Sequence, residues 1–319
     1  MKGRRMTLVL GVDIGGTDIK LGLVEGGGEI RESGKIPTRP AEGPEAAASR
    51  VRLWLEESAR GAGPIAAAGI DCAGLVDGER GFLHVSPNLG GWENVPLRDI
   101  FERALGVSAI VENDANAAAY GEWAAGAGRG LRNFVCLTLG TGVGGGVIVN
   151  GGLYRGSSGF AGEIGHAVIN AGGPLCACGN RGCLEALVGA KAIVERAIEM
   201  LRATGESRSA WGGSPTVEAI SRAAASGDAV AAAALEETGR WLGIALANVI
   251  HILAPEAIAI GGGVAGAGDF ILEPARATVR RCVMNEAMAS ARIVPAELGN
   301  RASFIGISLL ALGRMNERR

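Results

Sequence analysis

A short buried strand that runs into a glycine turn and out into a second strand occurs in each half of this chain. That pattern constrains the fold more than any other feature. In the first half, Leu8 to Glu25 reads as two apolar strands broken by Asp13-Ile14-Gly15-Gly16-Thr17. In the second, Phe134 to Val149 repeats strand, turn, strand through Leu139-Gly-Thr-Gly-Val-Gly-Gly-Gly146. An offset of 126 residues lays Gly16 on Gly142 and Leu21–Leu23 on Val147–Val149. Identity between the halves is poor, so the repeat is one of shape. Glycine is costly to order and concentrates where backbone must turn or approach a ligand. The chain holds 53 of them among 319 residues, a length that suits two ordinary domains.

Other elements follow from periodicity. Ile30 to Ile36 is strand-like, and residues 44–61 form a helix with Val51, Trp54 and Leu55 on one face. Ile65 to Ile70 reads as a strand, Asp71 to Asp99 as mostly loop, Val107 to Val111 as a strand and Ala115 to Ala125 as a helix. Helices are predicted over 186–203 and 228–253, with a polar loop at 204–215 between them. A strand at Ala257 to Ile260 runs into Gly261-Gly262-Gly263. A final helix begins at Phe304 and is expected to pack back on the first domain. The predicted division is a smaller α/β domain over 1–120, joined by helix 304–319, and a larger α/β domain over 121–303.

The three glycine turns suit parts of a nucleotide. Backbone N–H groups of Gly15 and Gly16 can approach oxyanions, Thr17 adds a hydroxyl, and Asp13 can engage the water shell of Mg²⁺. Gly140, Thr141 and Gly142 offer a second clamp, and Gly261, Gly262 and Gly263 could admit adenine or ribose. Each turn taken alone is also compatible with an ordinary hairpin. No Walker lysine and no GxGxxG opening a helix is present. The combination instead suggests a nucleotide in a cleft between two domains. Asn113-Asp114-Ala-Asn116 lies where a strand gives way to a helix. It reads either as an N-cap or as a general base, Asp114, for a hydroxyl attacking a γ-phosphate.

His166 with Cys176, Cys178 and Cys183 makes the sharpest local signal. Three thiols within eight residues, bent by Pro174, Gly179 and Gly182, match a tetrahedral Cys₃His zinc site. With all four positions filled by protein, the Zn²⁺ is structural. Glu163 and Glu185 flank this loop and read either as surface groups or as the carboxylates that vicinal sugar hydroxyls need.

Composition narrows the class. Hydrophobic residues make up 48% and charged residues 20%, so the chain is not of the disordered type. The 31 basic and 33 acidic residues nearly cancel, which argues against a broad nucleic-acid surface. The basic start before Leu8 is too short in apolar residues for an export signal. The uncharged stretch Asn133 to Tyr154 is broken by seven glycines and reads as strands rather than a membrane span. A cytoplasmic protein without disulfides is expected.

Together, Asp13-Ile-Gly-Gly-Thr17, Glu112-Asn-Asp-Ala-Asn116, Leu139-Gly-Thr-Gly-Val-Gly144, Glu163-Ile-Gly-His166 and Cys176-Ala-Cys-Gly-Asn-Arg-Gly-Cys-Leu-Glu185 resemble the ROK family. That family comprises bacterial sugar kinases and related repressors on an actin/hexokinase-like (ribonuclease H-like) α/β ATPase fold. The likeness runs from about residue 7 to the final helix. It implies ATP-dependent phosphorylation of a hexose, with Asp114 as the base for a C6 hydroxyl. Asn113, Glu163, His166, Glu185, Gly74 and Asn88 are implied as sugar contacts, and the glycine turns as holding Mg-ATP. It also implies a homodimer or homotetramer. Asp18 departs from the family pattern, where Lys or Asn is common, and its side chain is therefore expected to point outward. The segment Ser86 to Pro96 is most similar to the glucose-phosphorylating members, while N-acetylmannosamine and other hexose kinases share nearly all the remaining motifs. Repressors of the family need a helix-turn-helix, and the dozen residues before Asp13 are too few for one. Polyphosphate remains open as an alternative donor.

Overall fold

The structure, a computed structural model, describes residues 7–59, 63–204, 211 and 215–317. The chain divides into two compact units. One comprises Met1–Gly130, Gly146–Gly162 and Leu298–Arg319, and the other Leu131–Gly145 and Glu163–Glu297.

The first unit is built on a five-stranded sheet. β1 (Leu8–Ile14) lies at its centre and every one of its residues is buried. That explains an apolar run without alternation, because a strand covered on both faces has no solvent side. β2 (Asp18–Glu25) and β3 (Ile30–Pro37) add to it as antiparallel hairpin strands. β4 (Ile65–Cys72) and β8 (Ala109–Asn113) add on the other side in parallel, giving the order β3-β2-β1-β4-β8. Leu10, Val12, Ile14 and Ile70 form one core with Val51 of α1 (Pro44–Ser58) and Phe101 of α2 (Leu97–Leu105).

Two helices, α3 (Asp114–Ala125) and α9 (Ala302–Glu317), pack closely on one another and on β4 and β8. Ala117 packs with Ile307 and Leu310, and Val24 with Phe304 and Ile305. Small residues permit this. A Cβ built on Gly306 would sit 1.8 Å from the carbonyl oxygen of Ala117. Nothing larger than glycine fits there while the helices keep their spacing.

The segment 71–99, expected to be mostly loop, contains more order than its sequence suggests. β5 (Leu75–Asp77), β6 (Phe82–Val85) and β7 (Glu93–Val95) make a small antiparallel sheet. None is long enough to display a period. α2 follows at once, with Leu97, Ile100 and Phe101 buried.

A second sheet has the order β11-β10-β9-β12-β13, from β9 (Phe134–Leu139), β10 (Val143–Val149), β11 (Gly152–Leu153), β12 (Ala257–Gly261) and β13 (Arg292–Pro295). Its order matches the first sheet position by position, so the shape repeat in the sequence is a repeat of topology. β12 runs parallel to both β9 and β13. The predicted helix over 186–203 is two helices, α4 (Leu184–Val188) and α5 (Ala190–Ala203), joined at Gly189. α6 (Val217–Ala225) and α8 (Asp269–Cys282) lack a counterpart in the sequence reading, whereas α7 (Ala229–Leu253) has one. Most of the polar loop at 204–215 and the basic start Met1 to Arg5 lie outside the described residues. Among the described residues, no helix is long and apolar enough to cross a membrane.

Candidate active site

In the first unit the candidate residues gather where β1, β4 and β8 end. The turn after β1 is closed by the Gly15 N–H donating to the Asp18 carbonyl at 3.0 Å. The Thr38 hydroxyl donates to the Gly15 carbonyl at 2.5 Å, which ties the turn to the chain leaving β3. Asp13 is 7% exposed and accepts from Lys20 Nζ at 2.9 Å. Burial pulls the Lys20 ammonium down, but Asp13, with Asp71 and Asp114 beyond it, raises it overall. Asp18 is only partly exposed and pairs with Lys35 Nζ at 2.8 Å, so a cation occupies that carboxylate.

The start of α3 shows which residue caps it. Asn113 is the N-cap, its Oδ1 accepting from the N–H groups of Ala115 at 2.9 Å and Asn116 at 3.1 Å. Its Nδ2 donates to the Gly74 carbonyl at 3.1 Å, which joins two predicted sugar contacts. Asp114 is therefore the first helical residue, half-buried at the positive end of the helix dipole. Asn88 is exposed, and its backbone lies against Gly16.

Glu112 was visible in the sequence only as part of a motif. Its carboxylate is 1% exposed and is held by Arg155 Nε at 2.7 Å and Asn116 Nδ2 at 3.0 Å. Lys20, Asp71 and Arg155 were not singled out by the sequence reading. The available signal was a charged residue at the end of an otherwise apolar strand, Asp71 after Ile65–Ile70.

The second unit holds the other candidates. The ligand atoms of His166, Cys176, Cys178 and Cys183 all lie within 4.8 Å of one another. Cys178 Sγ and Cys183 Sγ are 3.7 Å apart, and Cys176 Sγ and His166 Nδ1 also 3.7 Å. A tetrahedral ion with Zn–S bonds of about 2.3 Å sets its sulfurs roughly 3.8 Å apart, so the residues present fit Zn²⁺. The N–H of Asn180 draws the Cys178 thiol down to about 7, whereas desolvation lifts Cys176 to about 12. Coordination would take both as thiolates. With Nδ1 turned to the thiols, Nε2 of His166 is the nitrogen left for another partner.

Glu185 links this cluster to the second glycine turn. Its Oε2 accepts from the Val143 N–H at 3.1 Å, and its Oε1 lies 3.5 Å from Cys176 Sγ. Glu163 is exposed and immediately precedes the short turn Ile164–His166. The turn at Gly140–Gly142 is closed by the Gly140 N–H donating to the Gly142 carbonyl at 2.9 Å. The third turn packs on β9. Gly262 has φ 84°, and a Cβ there would meet the Leu139 carbonyl at 2.2 Å. Thus Gly140, Thr141, Gly142, Gly261, Gly262 and Gly263 come together at adjacent strand ends, with Glu185, His166 and the thiols beside Val143.

The sequence profile of the ROK family matches residues 9–314. A glucokinase of Streptomyces coelicolor is 40% identical over 314 residues, covering 96% of this chain and 98% of that protein. Among solved structures, a ROK family glucokinase from Streptomyces griseus, in complex with glucose and AMPPNP, superposes with a TM-score of 0.81 at 36% identity. It covers 96% of this chain and 99% of its own. A ROK family transcriptional regulator superposes with a TM-score of 0.88 at 27% identity, over 96% of this chain and 78% of the regulator.

Proposed function

This chain belongs to the ROK family, and on that premise we propose that it is an ATP-dependent kinase that converts glucose to glucose 6-phosphate. The observation that carries this reading is the likeness to glucokinases over nearly the full length, one of them solved with glucose and a nucleotide analogue. The actin/hexokinase-like α/β fold is common to both.

Asp114 acts as general base. It takes the proton of the C6 hydroxyl as that oxygen attacks the γ-phosphorus in line. Asn113 caps α3, so the helix start that carries Asp114 is held by two backbone bonds and by Gly74. Asn113, Gly74, Asn88, Glu163, His166 and Glu185 contact the sugar, the carboxylates accepting from vicinal hydroxyls. Gly15, Gly16, Thr17, Gly140, Thr141, Gly142 and Gly261 to Gly263 hold the nucleotide, with backbone N–H groups facing phosphate oxygens. Mg²⁺ bound with ATP would spread the charge of the transferring group. His166, Cys176, Cys178 and Cys183 would hold Zn²⁺, which would fix the loop that presents His166 and Glu185. The enzyme works in the cytoplasm as a homo-oligomer without nucleic acid.

A second reading, a sugar-responsive regulator, is supported by the close superposition on a transcriptional regulator of the same family. The two part on ATP consumption. Wild-type protein should release ADP when glucose is added to Mg-ATP. Asp114→Asn should lower turnover by about 10² to 10⁴-fold while glucose still binds. Glucose binding by the wild type with no ADP formed would select the regulator, and wild-type turnover in Asp114→Asn would remove Asp114 from the base role.

A further inference from the structure

Three carboxylic residues stand side by side across the end of the first sheet. Asp13 of β1 is in register with Asp71 of β4, and Asp71 with Glu112 of β8. Residues in register on adjacent strands present their side chains to the same face. Each outer member of the row has a cation. Asp13 has Lys20, itself its register partner on β2, and Glu112 has Arg155. Among the described residues, the middle member has none. Asp71 is 0% exposed, and no donor among the described residues reaches either of its oxygens.

An ionised carboxylate without water, cation or donor is among the costliest groups to bury, and it is relieved by taking up a proton. Every charged influence on Asp71 but one acts in that direction. Burial contributes most, Asp13 and Asp114 add to it, and only Lys20 opposes. Once protonated, the acid carries an O–H that needs an acceptor, and the carboxyl in register with it on β1, which also acts on it electrostatically, is that of Asp13. Two carboxyls can share a hydrogen bond only through a proton.

We propose that Asp71 is a positioning residue, a neutral carboxylic acid whose O–H donates to the Asp13 carboxylate and, together with Lys20, fixes that side chain beside the first phosphate turn. Asp13 is thereby held by one charged and one neutral donor. A neutral Asp71 also adds no negative charge between Asp13 and Asp114, where anionic phosphates must be received. The inference deepens the kinase reading and rests on it for the role of Asp13, but the hydrogen bond itself does not depend on activity.

The test joins spectroscopy to kinetics. An infrared difference spectrum of wild type against Asp71→Asn, at neutral pH, should show the carbonyl stretch of one neutral carboxylic acid, and Asp13→Asn should shift that band. In steady state, Asp71→Leu should lower kcat/KM for Mg-ATP by about tenfold or more, the worth of a hydrogen bond to a charged group, and leave KM for glucose unmoved. Asp71→Asn keeps a neutral donor and should restore most of that loss. Absence of the acid band, or a band indifferent to Asp13→Asn, would overturn the proposal, as would Asp71→Asn as impaired as Asp71→Leu. If Asp71→Leu fails to fold, the infrared arms decide alone. If the wild type phosphorylates no sugar, the kinase reading fails separately and the band still reports on Asp71.

Discussion

At the scale of the residue, adjacent side chains with similar chemistry take different tasks because of where backbone elements end. Asn113 and Asp114 are both good capping types, yet only Asn113 has the extended backbone of a cap, at φ −69° and ψ 144°. Its neighbour Asp114 is the first helical residue, and its Oδ1 also accepts from the Ala115 N–H at 2.9 Å. Asp71 shows the opposite case, an acid committed by burial rather than by a partner. Its folded-state pKa is raised well above the ordinary value of 3.8, with desolvation the largest cause. A raised carboxyl contributes stability that is fully present below the unfolded-state pKa and is lost as pH rises toward the folded one. The groups facing it are Asp13 on β1, Lys20 on β2, Glu112 on β8 and Asp114 on α3, while α9 meets β4 through the backbone of Ile307 at Gly69. Asp71→Asn should therefore gain on wild type by about 1.4 kcal/mol per pH unit above pH 4, up to the folded pKa, in denaturant titrations at stepped pH. Parallel stability–pH curves for the two proteins would contradict the assignment. Asp114, the thiols and the glycine turns were legible in the sequence because their signals are local. The Lys20, Asp71 and Arg155 pairings were not, since each depends on strand register or on residues far apart in the chain.

At the scale of the element, the zinc loop is the clearest case of a short segment that cannot hold itself by burial. Its regular structure is limited to isolated bridges, Val168 to Cys183 and Leu175 to Arg181, and Leu175 and Val168 are exposed. A bound ion would supply the missing constraint, as in small metal-held domains. Elemental analysis of purified protein should find about one zinc per chain. Cys178→Ser should lower that content and raise KM for the sugar, because His166 and Glu185 share the cluster. Zinc-free wild-type protein with an ordered loop would contradict this. Sequence periodicity located the long strands and α7, whose 25 residues display their apolar face many times. It missed β5, β6, β7 and β13, each of three or four residues, because a period of two needs more length to be seen. It also joined α4 to α5, because the break at Gly189 interrupts an otherwise helical composition by one residue.

At the scale of the whole molecule, the two sheets share one strand order, and each places a glycine turn after its central strand. The halves then diverge in chemistry. One carries Asp114 and the row of carboxylates, the other the thiols, Glu163, His166 and Glu185. The sequence named nearly all of these groups by type, and the structure supplied the bonds that hold them.

The most direct measurement is ADP release with Mg-ATP against glucose, mannose, fructose, N-acetylglucosamine and N-acetylmannosamine, with the phosphorylated product identified. The account predicts turnover with the highest kcat/KM on glucose and glucose 6-phosphate as product. Turnover with none of the five sugars would contradict it.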